Sequence, residues 1–241
     1  MKRTLRVASI GFAILLLVAA AGVWHMAFRT PPVDLLPLPE DLVAIETAPG
    51  QQLLAESRFT ADHASLAGSF VSQSRRGFCG VATSVAVLNA LRRPEPPITQ
   101  STFFTDAARE VRGPLQVSLG GMTLGQLGDL LRAHGLDVTV YYASETGILS
   151  FRSVARENLT TSGDYLLVNY QRAELGQGET GHISPVAAYH AATDRFLILD
   201  AAAYKYPPVW VGAEALWRAM NTIDPSSSRS RGFVVVREGI S

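Results

Sequence analysis

The sequence predicts an α+β domain, with a helical first half that presents a cysteine at a helix start and an antiparallel sheet in its second half. Three observations predict it. Between residues 79 and 134, apolar residues recur at three-to-four spacing, bounded by caps and stops. From residue 165 the pattern changes to short β-branched and aromatic runs: Y-L-L-V-N-Y, H-I-S-P-V-A-A-Y-H, R-F-L-I-L-D and G-F-V-V-V-R. The second and third runs are joined by A-A-T-D, a hairpin-length loop, and helices followed by hairpin-linked strands are the order of an α+β fold.

Taken in order, the chain opens on M-K-R-T-L-R, with three positive side chains, and then runs from 7 to 28 without a formal charge. About 20 apolar residues cross a bilayer. Residues 1–28 are therefore expected to be a signal peptide, cut after a small-residue triplet such as Ala19, Ala20 and Ala21, or an uncleaved anchor ending at the interfacial Trp24. The length favours the anchor. In both cases the basic end stays inside, which places the chain from about residue 30 in the periplasm or on the outer membrane face. Residues 29–52 hold Pro31, Pro32, Pro37 and Pro39 and read as a semi-extended linker, with the catalytic domain over 53–241.

Residues 51–66 are predicted to form a short helix. The helix from Cys79 to Ala90 presents Val81, Val85, Leu88 and Leu91 as one stripe and ends at R-R-P-E-P-P. A further helix is expected near 103–111 and a turn at Gly120-Gly121. Thr123 caps a helix over 124–134 that Gly135 stops. A strand over 137–142 and a helix over 148–159 precede the strand-rich half. There the runs 165–170, 182–190, 195–200, 208–211 and 232–237 are strands, and 213–220 is a helix.

Composition excludes several classes. Formal net charge is zero, with no basic stripe, so nucleic acid is not an expected partner. One cysteine rules out an intramolecular disulfide and a cysteine-rich metal site, and the histidines (His25, His63, His134, His182 and His190) show no metal-ligand spacing. No metal ligands and no resident cofactor are expected.

Cys79 is the candidate nucleophile. A helix start offers unpaired N–H groups and a positive dipole end, both of which stabilise a thiolate. A thiol also needs a base, and the base an orienting group. His25 lies in the membrane segment, His63 has no evident partner, His134 sits at a helix end and His190 at the outer end of a strand. His182, at a strand start after the loop G-Q-G-E-T-G, remains as the base. The hairpin pairing of 182–190 with 195–200 brings Asp200 to His182, while Asp194 at the loop cannot reach it. Gln73, six residues before the thiol, and the Cys79 N–H are candidate oxyanion donors. Taken singly, each of these residues has an ordinary structural use: a buried thiol, a hydrogen-bonded histidine, a turn aspartate.

Several segments in order, R-R-G-F-C-G-V-A-T-S-V-A-V-L-N-A-L, G-M-T-L-G-Q-L, G-H-I-S-P-V-A-A-Y, D-R-F-L-I-L-D-A-A-A-Y-K-Y-P-P-V-W-V and L-W-R-A-M-N-T-I-D, resemble the catalytic domain of phytochelatin synthases over roughly 57–237. The resemblance implies a papain-like cysteine protease fold. It also implies an activity. Cys79 attacks the Cys–Gly bond of glutathione, releases glycine and passes the γ-glutamylcysteinyl group to water or to a second glutathione, which makes phytochelatin. His182 would be the base, Asp200 the orienter and Gln73 the oxyanion donor. Arg231, Asp224, Asn169 and Gly181 lie on motifs that in the family line the γ-glutamyl pocket, and an Arg with an Asp suits a zwitterion. The resemblance further implies a homodimer, and activation by soft metal ions bound as metal–glutathione complexes.

The sequence resembles the short bacterial form, because no cysteine-rich region follows the domain before Ser241. Hydrolysis of glutathione is therefore expected over polymerisation. Two other readings stay open on sequence: an envelope cysteine peptidase or amidase acting on other γ-glutamyl or peptidoglycan peptides, and a non-catalytic, membrane-tethered thiol or metal-binding module.

Overall fold

Strands that are apolar at nearly every position, such as 165–170, need cover on both faces. The computed structural model, which describes residues 2–239, provides that cover with helices on each side of one sheet. Met1, Ile240 and Ser241, the outermost residues of the expected first segment and of the expected domain, lie outside the described residues.

In chain order, α1 (Lys2–Phe28) leads through an extended stretch to β1 (Val43–Ala44), α2 (Ala48–Glu56) and α3 (His63–Ser69). There follow α4 (Cys79–Arg92), α5 (Asp106–Val111), α6 (Pro114–Gly120) and α7 (Leu124–Ala133). β2 (Leu136–Tyr142), α8 (Ala143–Thr146) and α9 (Ile148–Asn158) complete the helical half. The second half holds β3 (Asp164–Gln171), a 3-10 turn (Arg172–Leu175), β4 (Gly181–His190), β5 (Arg195–Ile198), β6 (Val209–Gly212) and α10 (Ala213–Met220). The small pair β7 (Ile223–Asp224) and β8 (Arg229–Ser230) precedes the last strand, β9 (Gly232–Glu238).

The main sheet runs β1-β6-β5-β4-β3-β9-β2, and its neighbours pair antiparallel. Side chains alternate between its two faces as a pleated strand requires. Tyr165, Leu167, Val234 and Val236 join the core formed with α4 and α7, while Leu166, Val168, Phe233 and Val235 join the core formed with α9 and α10. α4 is buried on every side from Cys79 to Leu88, beyond the single stripe its sequence predicts, because it fills the space between the sheet and α3, α5 and α7. The α7 boundaries follow their caps. Thr123 Oγ1 accepts from Gln126 N, Gln126 Oε1 accepts from Thr123 N, and Gly135 turns the chain at φ 78°.

Three expectations change. The single helix over 51–66 is two helices, because Phe59 leaves helical geometry to bridge Tyr189 at the sheet. The helix near 103–111 starts at Asp106, where Thr105 caps it by accepting from Ala108 N. Residues 29–52 are not a free spacer: Asp34 N and Leu36 N donate to the carbonyls of Tyr204 and Lys205, and β1 adds to the sheet edge against β6. The folded unit thus reaches forward of residue 53.

Gly232 sits where β9 is squeezed between β2 and β3, and a Cβ there would run into the Tyr141 carbonyl oxygen. Gly232→Ala is expected to lower the unfolding free energy by about 1–3 kcal/mol, as overpacking does, and thermal or denaturant unfolding reads the loss. Unchanged stability would show that the strands can part at no cost.

Candidate active site

The candidate nucleophile and the candidate base come from different halves of the fold. Cys79 is the first residue of α4, so the N–H groups of its turn have no carbonyl from their own helix. Gly80 follows it, and a Cβ there would lie 2.5 Å from the Met122 sulfur, so a larger residue needs Met122 to shift. Thr83 Oγ1 donates to Ile183 O at 3.2 Å, which ties α4 to β4 beside His182. His182 and Cys79 both line one cavity of about 470 Å³.

Asp200 follows β5, where Leu199 N and Ala201 N still bond to Pro185 O and Ser184 Oγ of β4. This extension of the hairpin sets Asp200 Oδ1 2.9 Å from His182 Nε2. With Nε2 engaged by the carboxylate, Nδ1 is the nitrogen left to face the thiol. Asp194 is held elsewhere, by Arg152 and by the Tyr189 hydroxyl. The other domain histidines have structural partners or surroundings: His134 stacks on Phe103, His190 bonds Thr193, and burial lowers His63.

Sequence reasoning missed Arg172. Its guanidinium is 3% exposed, bonds Asp200 Oδ1 at 2.6 Å and Gln177 Oε1, and lies over the ring of Tyr206. The one legible signal was a charged residue directly after a strand with the apolar centre Tyr165–Val168. Ala202 N also donates to Asp200 Oδ1, at 2.8 Å.

These contacts set the charges. Burial pushes the Asp200 carboxyl up, but His182 and Arg172 hold it well below the usual carboxylate range. Burial and the Arg172 charge push His182 down, yet Asp200 and Cys79 outweigh them and leave the imidazole above its ordinary value. Burial pushes the Cys79 thiol up, while His182, by hydrogen bond and charge, and the backbone of Ile183 and Gly80 bring it below its ordinary value. A lowered thiol beside a raised imidazole moves both groups toward the thiolate–imidazolium pair, the activated form of a cysteine nucleophile.

Gln73 is buried behind the nucleophile loop and is not among the residues lining the cavity. Its N–H bonds Ala201 O, and its side-chain amide donates to the carbonyls of Arg75 and Arg76 at 3.0 and 2.9 Å. Those donors hold the loop, so the free amide expected for an oxyanion is not present in this arrangement. Asn169, Gly181, Asp224 and Arg231 all line the cavity with Cys79 and His182. Arg231 donates from one nitrogen to Thr222 and to Ile223 O, its Nε is buried without a partner, and burial lowers its pKa against the pull of Asp224. Gln171, also missed by sequence, lines the same cavity with a buried Oε1 that has no partner. Among the described residues, no group of three or more His, Cys, Asp or Glu is placed to hold a metal ion.

A helix-start cysteine facing a carboxylate-bound histidine, on a helical half docked to an antiparallel sheet, defines a papain-like cysteine catalytic domain. The chain belongs to the phytochelatin synthase family, whose model matches residues 33–233. It is 34% identical to glutathione gamma-glutamylcysteinyltransferase 3 of Lotus japonicus over 90% of this chain and 45% of that protein. It is 36% identical to glutathione gamma-glutamylcysteinyltransferase 1 of Triticum aestivum, over 80% of this chain and 40% of that one. For the Schizosaccharomyces pombe glutathione gamma-glutamylcysteinyltransferase the identity is 27%, over 83% and 50%. The chain spans half or less of the length of these curated relatives.

Two outcomes test the charge arrangement. The pH dependence of Cys79 alkylation by iodoacetamide is expected to inflect below the ordinary cysteine value. In His182→Ala it should inflect at a higher pH than in the unsubstituted protein, because burial then acts on the thiol with only the backbone of Ile183 and Gly80 to offset it. An inflection left in place would remove His182 from the pair. Arg172→Met leaves a buried carboxylate with one cationic partner fewer and is expected to destabilise the fold by about 3–5 kcal/mol, measured by denaturant unfolding, with Arg172→Lys recovering part of it.

Proposed function

We propose that this chain cleaves the Cys–Gly bond of glutathione through a thioester on Cys79. The observation that carries the reading is that Arg231 and Gln171, which line the cavity that also holds the thiol, each keep a buried polar atom without a partner, Arg231 Nε and Gln171 Oε1. A γ-glutamyl end is a zwitterion. Its carboxylate suits the Arg231 guanidinium, and its ammonium suits Asp224 and the Gln171 oxygen. Asn169 and the Gly181 backbone complete the polar wall. The names of the curated relatives, glutathione gamma-glutamylcysteinyltransferases, support the same substrate.

The thiolate attacks the carbonyl carbon of the Cys–Gly amide, forming a C–S bond and an oxyanion. The Cys79 N–H at the helix start is one donor to that oxygen, and Gln73 would become the second on giving up a loop carbonyl. The His182 imidazolium then passes its proton to the glycine nitrogen as the C–N bond breaks. Neutral His182 next takes a proton from water, whose oxygen attacks the thioester, and γ-glutamylcysteine leaves as the thiolate re-forms. Asp200 holds the imidazole by Nε2 throughout, and Arg172 keeps Asp200 ionised. Water needs no second binding site, so hydrolysis is the favoured outcome; a second glutathione in place of water would yield phytochelatin. Soft metal ions enter this scheme on the substrate side, as thiolate complexes of glutathione.

The same reading places the domain on the outer face of the cytoplasmic membrane, held by α1. Described side chains of α1, including Phe12, Leu15, Leu16, Leu17, Val18 and Val23, are exposed around its circumference, and a helix apolar all round needs an apolar surround. The described residues alone make no helix long and apolar enough to cross a membrane. Counted on the sequence alone, the uncharged run over 7–28 is 22 residues, enough to span.

Incubation with glutathione is expected to release glycine and γ-glutamylcysteine in equal amounts, and Cys79→Ala to reduce release to background. Arg231→Ala should lower kcat/KM by about 10- to 100-fold, the worth of one charge-assisted hydrogen bond. Glycine released with γ-glutamylcysteinyl oligomers instead would reverse the hydrolysis preference. No release from glutathione alongside cleavage of a peptidoglycan γ-glutamyl peptide would overturn the substrate.

A further inference from the structure

We propose that the catalytic domain rests on the bilayer through α6 and the segment leaving α1, so that the active-site cavity opens at the membrane surface. This rests on the reading of α1 as an anchor and adds a second, peripheral contact to it.

The junction is specific. Trp24 and Phe28 stack at the end of α1 with ring centroids 4.2 Å apart, the pairing of aromatics expected at a membrane interface. The Arg75 guanidinium lies 5.1 Å from the centre of the Phe28 ring and donates to Ser118 Oγ at 2.9 Å. One arginine therefore bridges the exit of α1 to α6. On α6, Leu115 and Leu119 stand one turn apart, 56% and 57% exposed, on a short helix whose Val117 and Ser118 are buried in the domain. Val33 and Leu35, a few residues past α1, are 77% and 64% exposed, although backbone bonds from Asp34 and Leu36 fix that segment to the domain.

These side chains are fixed in place and turned to solvent beside a helix that is itself apolar all round. Water is a poor neighbour for such a set, and lipid is the neighbour continuous with α1. The charges agree with an anionic headgroup layer. A second cavity, of about 390 Å³, lies at the same junction, lined by His25, Arg29, Thr30, Pro31, Pro32 and Arg76. Positive side chains close to the surface of an anionic bilayer add attraction to apolar insertion.

The consequence for catalysis follows from shared residues. Arg76 lines both this cavity and the one holding Cys79, and the active-site lining includes Gly120 and Gly121, which directly follow Leu119. The lining of the active-site cavity thus begins one residue after the proposed lipid contact at Leu119. Substrate would enter along the membrane surface rather than from the bulk side.

The single cysteine makes the test direct. In a Cys79→Ser background, spin labels are placed one at a time at Leu16→Cys, Leu115→Cys, Leu119→Cys and, as a remote control, at Leu149→Cys, which is 78% exposed. The full chain is reconstituted into phosphatidylglycerol–phosphatidylethanolamine vesicles, and collisions with oxygen and with a water-soluble nickel chelate are measured. The expected result is oxygen-favoured, lipid-phase accessibility at 16, 115 and 119 and aqueous accessibility at 149. Lipid accessibility at 16 with aqueous accessibility at 115 and 119 overturns the resting face and leaves the anchor standing. Aqueous accessibility at all four positions overturns both. A label at 119 screened from both reagents means that protein covers the face, and this too overturns the proposal.

Discussion

One buried oxygen, Oδ1 of Asp200, organises the site. It accepts from His182 Nε2, from the Arg172 guanidinium and from Ala202 N, while Oδ2 has no partner. The charges explain why a cation as costly to bury as Arg172 is there. A thiolate, an imidazolium and a carboxylate alone would leave one net negative charge among groups almost wholly shielded from water. Arg172 brings the four groups to neutrality, and a neutral cluster is the form of buried ionisation that low dielectric tolerates. The activated thiol therefore depends on a residue with no part in bond making. Arg172 in turn depends on the register of β3 and β4, which sets Tyr170 opposite His182 and leaves the next residues to turn back over them.

The same register builds the cavity beside Cys79. Asn169 is opposite Ile183 on β4 and Gly232 on β9, so it sits between the strand that carries His182 and the strand that Arg231 leads into. Gly232 has no room for a side chain, and its close approach to β2 fixes the path of Arg231 just before it. The polar wall and the catalytic pair are thus two uses of one set of strand pairings. A disturbance of the β3–β9 pairing would reach both.

Much of this was legible in the sequence, and the limit has a physical cause. Caps and hairpins are local, and Thr123, Gly135 and the loop over 191–194 announced their elements correctly. The reach of Asp200 to His182 was legible because a short hairpin converts sequence separation into spatial order. Arg172 was not legible, because its partner comes from two strands away and nothing in its own neighbourhood shows a buried cation. The stretch over 29–52 misled for a related reason. Prolines signal an extended backbone truthfully, but they do not say whether that backbone meets solvent or, as Asp34 and Leu36 do, the carbonyls of Tyr204 and Lys205. Gln73 was found by its spacing to Cys79, yet its hydrogen-bond partners are set by the fold of the Arg75–Arg76 loop.

The division of the site between two halves gives the chemistry a structural condition. Cys79 belongs to α4 and the helical core, while His182, Asp200 and Arg172 belong to the sheet and its loops. Two bonds join them near the reacting atoms: Thr83 Oγ1 to Ile183 O across α4 and β4, and Gln73 N to Ala201 O between the nucleophile loop and the Asp200 segment. Among the contacts that lower the thiol the imidazole comes first, and burial alone would raise it. Any opening between the halves therefore takes from the thiol the contact that does most to lower it. Reactivity of Cys79 is in this sense a report on the docking of α4 against β4, and the loop that Gln73 holds is part of the latch.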